Sequence, residues 1–161
     1  MQKESLLKGR RILAVDDEQD VLEIIEEQLE EATLFTASTF EAAREAIKGG
    51  ELDLVILDIM GVRGFELLEH SRRKHIPAVM LTAHALSPEN FQKSIDHGAV
   101  SFLPKEQLAN LNELVIEILE EVDSGRTHWE RLIQRLGPRL KEMWGALWQQ
   151  IKFPGDHNIR W

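Results

Sequence analysis

Apolar and polar positions along this chain follow two rhythms. Short apolar-rich runs at 11–15, 34–37, 54–57, 78–81 and 100–103 have the length and β-branched content of strands. Between them lie longer stretches with apolar residues three and four apart, the spacing of a helix with one buried face. Val21, Leu22, Ile24, Ile25 and Leu29 mark such a helix from Glu18 to about Glu30. Ser38 or Thr39 caps a second helix, and Gly49-Gly50 stops it. After a tight connection from Gly61 to Gly64, Phe65–Ser71 reads as a third, short helix. Ser87 ahead of Pro88 opens a fourth that closes at His97-Gly98, and Leu108, Leu111, Leu114, Val115, Ile118 and Val122 line a fifth over 107–122. Five strands alternating with five helices predict an α/β fold, a doubly wound parallel sheet with helices on both faces.

Beyond Asp123-Ser124-Gly125 the helical rhythm resumes. Residues 129, 133, 136, 140, 143, 147 and 151 are apolar at steps of four and three that alternate as far as 147, close to a coiled-coil seam, and include Trp129. Trp144 and Trp148 bring the count to three tryptophans within twenty residues. Gly137-Pro138 is expected to break the pattern into two short helices, because proline lacks a donor and clashes with the preceding turn.

The polar residues that end the strands carry the chemistry. Val15 runs into Asp16 and Asp17, Leu57 into Asp58, Leu81 into Thr82, and Pro104 into Lys105. Open parallel sheets bind ligands beyond the carboxyl ends of their strands. Each residue alone has an ordinary explanation, such as acids favouring a helix amino terminus. Three carboxylates, a hydroxyl and an ammonium gathered at one sheet edge instead suit phosphoryl transfer with a divalent cation.

Val15-Asp16-Asp17-Glu18, Leu57-Asp58, Thr82-Ala83 and Phe102 three residues before Lys105 resemble the receiver domain of two-component response regulators, over roughly residues 9–122. The resemblance implies a flavodoxin-like sheet of order 2-1-3-4-5. It implies Asp58 as the phospho-acceptor, with Thr82 and Lys105 stabilising the transferred group. It also implies Mg²⁺ held by Asp17 and Asp58 directly, by Asp16 through water, and by the backbone carbonyl of Met60. Thr82 and Phe102 would form the switch, acting on the fourth helix, fifth strand and fifth helix. The partners implied are a sensor histidine kinase or phosphotransfer protein and an unidentified downstream protein. Two features depart from the family: Pro104 precedes Lys105 rather than following it, and the loop from Asp58 to Gly64 is about two residues short and lacks a proline. His84, two residues after Thr82, lies where the family tunes phosphate lifetime.

This divides the chain into an amino-terminal tail (1–8), a receiver (9–124) and a helical, tryptophan-rich extension (125–161). Net charge is −9, but residues 1–124 hold 12 basic against 25 acidic residues, and residues 125–161 hold 7 against 3. The acidic part is not expected to bind nucleic acid, which needs clustered cations. The basic extension suits folding back over the receiver, then homodimerisation through its seam, then a membrane surface, and last nucleic acid. With no cysteine, no signal-peptide pattern and no long apolar run, a cytoplasmic location is expected. Met60 stands where aspartyl-nucleophile phosphatases carry a second acid, so no enzyme acting on other substrates is expected, only self-phosphorylation and slow hydrolysis. The alternative is a degenerate receiver used as a phosphorylation-independent binding or dimerisation module.

Overall fold

In a computed structural model, which describes residues 5–83 and 87–154, five parallel strands form one sheet in the order β2-β1-β3-β4-β5. The strands are β1 (Arg11–Val15), β2 (Thr33–Ala37), β3 (Leu54–Asp58), β4 (Ala78–Thr82) and β5 (Ser101–Pro104). Every residue of β3 and β4 is buried, as sheets covered on both faces require. The edge strand β2 exposes most of its length. Helices α1 (Gln19–Gln28), α2 (Phe40–Lys48), α3 (Gly64–Arg73), α4 (Pro88–Asp96) and α5 (Leu111–Asp123) link and follow the strands. Thr39 caps α2 by accepting from the Ala42 amide at 3.2 Å, and Ser87 caps α4 by accepting from Asn90 at 3.0 Å. Leu7 is fully buried, so the segment ahead of β1 joins the core.

Three local expectations are corrected. Ile24 lies off the buried stripe of α1 and is 40% exposed, whereas Val21, Leu22, Ile25 and Leu29 are buried. The stretch expected to begin the fifth helix is a 3-10 turn, Lys105–Asn110, and α5 starts only at Leu111. Gly137-Pro138 does not break the extension: α6 runs unbroken from Trp129 to Trp144 with Pro138 inside it. An interior proline costs about 3 kcal/mol. Burial of Trp129, Leu132, Ile133, Leu136, Leu140 and Trp144 offsets it, at about 1.5–3 kcal/mol for each aliphatic side chain. Gly137 adds to the fit, since a Cβ there would stand 3.2 Å from Ile133 Cγ2. The helix ends instead at Gly145, whose φ of 53° favours glycine, and a 3-10 turn (Gly145–Gln150) follows.

The extension folds back over α4, β5 and α5. At its start the His128 amide donates to the Val100 carbonyl at 2.8 Å, and the Trp129 indole donates to the Ala99 carbonyl at 3.0 Å. The buried His128 ring lies 2.7 Å from Ser101 Oγ through Nδ1 and 3.2 Å from Glu117 through Nε2. Burial pushes the imidazole down to about 4, with Arg131 adding to the effect, so it is neutral near pH 7. Arg131 faces Glu117, Glu120 and Glu121, Arg135 pairs with Glu117, and Arg139 with Glu106. The charge division along the sequence is thus in good part complementarity within one molecule. Of the seven seam positions, Trp129, Ile133, Leu136 and Leu140 are buried against the receiver and Ile151 is half-buried. Met143 and Leu147 are exposed.

Candidate functional site

The carboxyl ends of β1, β3, β4 and β5 converge on a cleft of about 230 Å³ lined by Asp17, Glu18, Asp58, Thr82 and Lys105, together with the loop 59–61 and Ala83. Lys105 organises it. Pro104 has an extended backbone (φ −67°, ψ 141°) and delivers the lysine to the start of the 3-10 turn. From there the amine reaches 2.9 Å from Asp16 Oδ2, 3.1 Å from Glu18 Oε1 and 3.4 Å from Asp58 Oδ1. Placing the proline before the lysine therefore still aims the amine into the site. Burial disfavours the ammonium, but the three carboxylates more than offset this and hold Lys105 above the usual lysine range.

Asp16 is fully buried, and its Oδ1 accepts from the Glu18 amide at 2.9 Å. Its Oδ2 makes no hydrogen bond within the protein, only the ion pair with Lys105. Burial raises its pKa above the ordinary aspartate value, and Lys105 and the Glu18 amide pull it back only in part. Asp58 is 4% exposed, with Oδ2 accepting from the Gly61 amide at 3.0 Å. Thr82 is buried at the end of β4, and its hydroxyl donates only a long bond, 3.4 Å, to the Ala83 carbonyl. Met60 lines the cleft and is 78% exposed. Phe102 lies fully buried on β5. His84 falls outside the described residues.

The short loop after Asp58 closes through glycine. A Cβ on Gly64 would meet the Asp58 carbonyl at 2.2 Å, so only glycine lets α3 start this close to β3. Arg63 turns the chain into α3 with φ 56°, its guanidinium 3.9 Å over the Phe40 ring. A Cβ on Gly61 would stand 2.3 Å from the Asp17 carboxylate.

Carboxylate oxygens of Asp16, Asp17 and Glu18 lie within 4.8 Å of one another, and Asp58 faces Asp16 across the Lys105 amine. This all-oxygen donor set, in which the buried Asp16 Oδ2 meets only the Lys105 ammonium, fits a hard cation such as Mg²⁺. Sequence reasoning assigned roles to Asp16 and Asp17 but missed two neighbours. Glu18 was legible only as a third consecutive acid. Gly61 was legible only as the start of a tight connection, because the need for a missing Cβ beside the site arises from Asp17, far away in sequence. Gly61→Ala is therefore expected to keep the fold, since the displaced group is the end of a side chain, and to weaken Mg²⁺ binding about tenfold. Calorimetric Mg²⁺ titration beside a thermal melt checks this, and unchanged affinity would contradict it.

Residues 12–118 match the family model of the response regulator receiver domain. The chain is 35% identical over 119 residues to the two-component response regulator ARR12 of Arabidopsis thaliana, covering 67% of this chain and 20% of that protein. It is 35% identical over 114 residues to the transcriptional regulatory protein TcrA of Mycobacterium tuberculosis, covering 67% and 44%. This chain thus spans less than half the length of those relatives. A CheY-like receiver domain structure from Methanospirillum hungatei superposes with a TM-score of 0.65 at 29% identity, covering 73% of this chain and 99% of that one. With an acid-lined cleft at the carboxyl edge of a 2-1-3-4-5 sheet and this match over most of its length, the chain belongs to the response regulator receiver domain family of two-component systems. Receiver domains of this family generally bind Mg²⁺ at the acidic pocket and interact with histidine kinases or phosphotransfer proteins. Among the described residues, no helix is long and apolar enough to cross a membrane.

Proposed function

We propose that this chain is a phospho-acceptor that takes a phosphoryl group onto Asp58 from a histidine kinase or phosphotransfer protein. One observation supports it most: the Lys105 amine, drawn in by Asp16, Glu18 and Asp58, sits 3.4 Å from the Asp58 oxygen at a cleft that Thr82 also lines. Asp58 Oδ1 attacks phosphorus, a P–O bond forms, the P–N bond of phosphohistidine breaks, and the imidazole leaves with the electron pair. Lys105 and the Thr82 hydroxyl hold the phosphoryl oxygens as charge shifts onto them. Gly61 donates to the second Asp58 oxygen and fixes the carboxylate's orientation.

Asp16, Asp17, Asp58 and the Met60 carbonyl would hold Mg²⁺, with Glu18 near enough to assist. When bound, the cation neutralises carboxylate charge that would otherwise repel a phosphate. Hydrolysis returns Asp58 to its free form, and no action on other substrates is proposed. Signalling runs through protein contacts in the cytoplasm. A small acyl phosphodonor with Mg²⁺ is expected to add one phosphoryl group to the wild type, read by intact mass, and none to Asp58→Asn. Equal labelling of the two would remove Asp58 from its role.

A further inference from the structure

We propose that residues 126–154 are this receiver's own output element, docked on α4 and β5 in the free chain and loosened when Asp58 carries a phosphoryl group. The inference rests on the phospho-acceptor reading and goes beyond it by naming the part of this molecule that responds.

The physical route begins at Thr82. Its hydroxyl has a long bond to a neutral carbonyl, and a phosphoryl oxygen is a charged and stronger acceptor. In the β4–β5 register Thr82 pairs with Pro104 and Met80 with Phe102. Side chains two apart on a strand share a face, so Thr82 and Phe102 lie on the same side of the sheet. A shift of Thr82 toward the cleft opens space on the Phe102 side of a close-packed interior, and the ring follows.

Phe102 does not end in inert packing. Its ring lies 5.1 Å from Phe91 of α4 at 75°, an edge-to-face contact. Phe91, fully buried, is the hub of the extension's attachment: Trp129 at 5.5 Å, Trp144 at 5.4 Å, Trp148 at 6.4 Å and Phe153 at 6.1 Å all surround it. One ring thus links the switch strand to three of the four tryptophans.

The attachment has two ends of different character. The Ser101–His128–Glu117 contacts and the His128 amide bond to Val100 sit at the start of β5, away from the cleft. Trp129 touches the hub as well but is held at this near end by its indole bond to the Ala99 carbonyl. The far end is held by the hub contacts of Trp144, Trp148 and Phe153 and by Gln92, which exchanges two hydrogen bonds with the Lys152 backbone at 2.8 and 2.9 Å. Motion of Phe102 reaches the hub first. The segment 140–153 therefore loosens, while His128 and Trp129, hydrogen-bonded to the Val100 and Ala99 carbonyls, stay latched as the pivot.

Hydrogen exchange of the full chain, loaded by a small acyl phosphodonor with Mg²⁺ and gated by intact mass, tests this. Loading is expected to speed amide exchange in 140–153 about tenfold, the scale of losing an edge-to-face aromatic contact. Amides of 128–133 keep their wild-type rates, and Asp58→Asn shows no response. Phe91→Leu, which leaves the cleft untouched, loads normally but loses the response; a wild-type response in it overturns the relay. Full loading with unchanged or slower exchange in 140–153 also overturns the relay and leaves the phospho-acceptor intact. Absence of loading overturns the phospho-acceptor reading itself, and the relay with it. The wild-type comparison decides the matter even if Phe91→Leu does not fold.

Discussion

Lys105→Ala is expected to slow the loading of Asp58 by a small phosphodonor about two to three orders of magnitude, the usual loss when one preorganised donor to a developing oxyanion is removed. The amine contacts Asp16, Glu18 and Asp58 together, its side chain is only 14% exposed, and among the described residues no other basic side chain lines the cleft to replace it. Its removal also leaves the buried Asp16 without its cation, which raises that carboxyl further and favours its protonated form. Lys105→Arg keeps the charge but exchanges a compact ammonium for a planar fork, so its rate should fall between the two. Time-resolved intact mass at fixed Mg²⁺ measures all three proteins. A Lys105→Ala rate within about threefold of wild type would mean that the amine balances the acids and does not assist transfer.

Trp129→Ala should cost about 3–5 kcal/mol of unfolding free energy, a large share of the roughly 5–15 kcal/mol that holds a domain together. The indole is 2% exposed, packs on Phe91 and donates to Ala99, so truncation leaves both a cavity and an unpaired carbonyl. Met143→Ala, 51% exposed on the same helix, is the control and should change stability by no more than about 0.5 kcal/mol. Denaturant unfolding in a single transition checks both. Equal midpoints for the two variants would show that the extension contributes little to the core.

The features legible in the sequence were those whose cause is local. The apolar run 54–57 announces a doubly covered strand, Thr39 and Ser87 announce caps, and acids after β1 and β3 announce the cleft. What escaped depends on groups distant along the chain. Pro138 carries a local penalty that any sequence reading registers, but its compensation comes from α4, β5 and α5, which α6 meets only once folded. The seam pattern is equally ambiguous, because a stripe that suits a second helix also suits a groove on the same molecule. The basic composition of the extension acquires meaning only beside Glu106, Glu117, Glu120 and Glu121. Gly61 and Glu18 belong to the same class, defined by Asp17 and Lys105 rather than by their neighbours in sequence.

The family match stops at residue 118, in the middle of α5, while the packing around Phe91 continues to Phe153. A chimera grafted at the matched boundary would sever α5 and strip the extension from the rings it packs against, leaving a greasy scar prone to clumping. Anyone exchanging this module between proteins has to carry the stretch through Phe153 along with it.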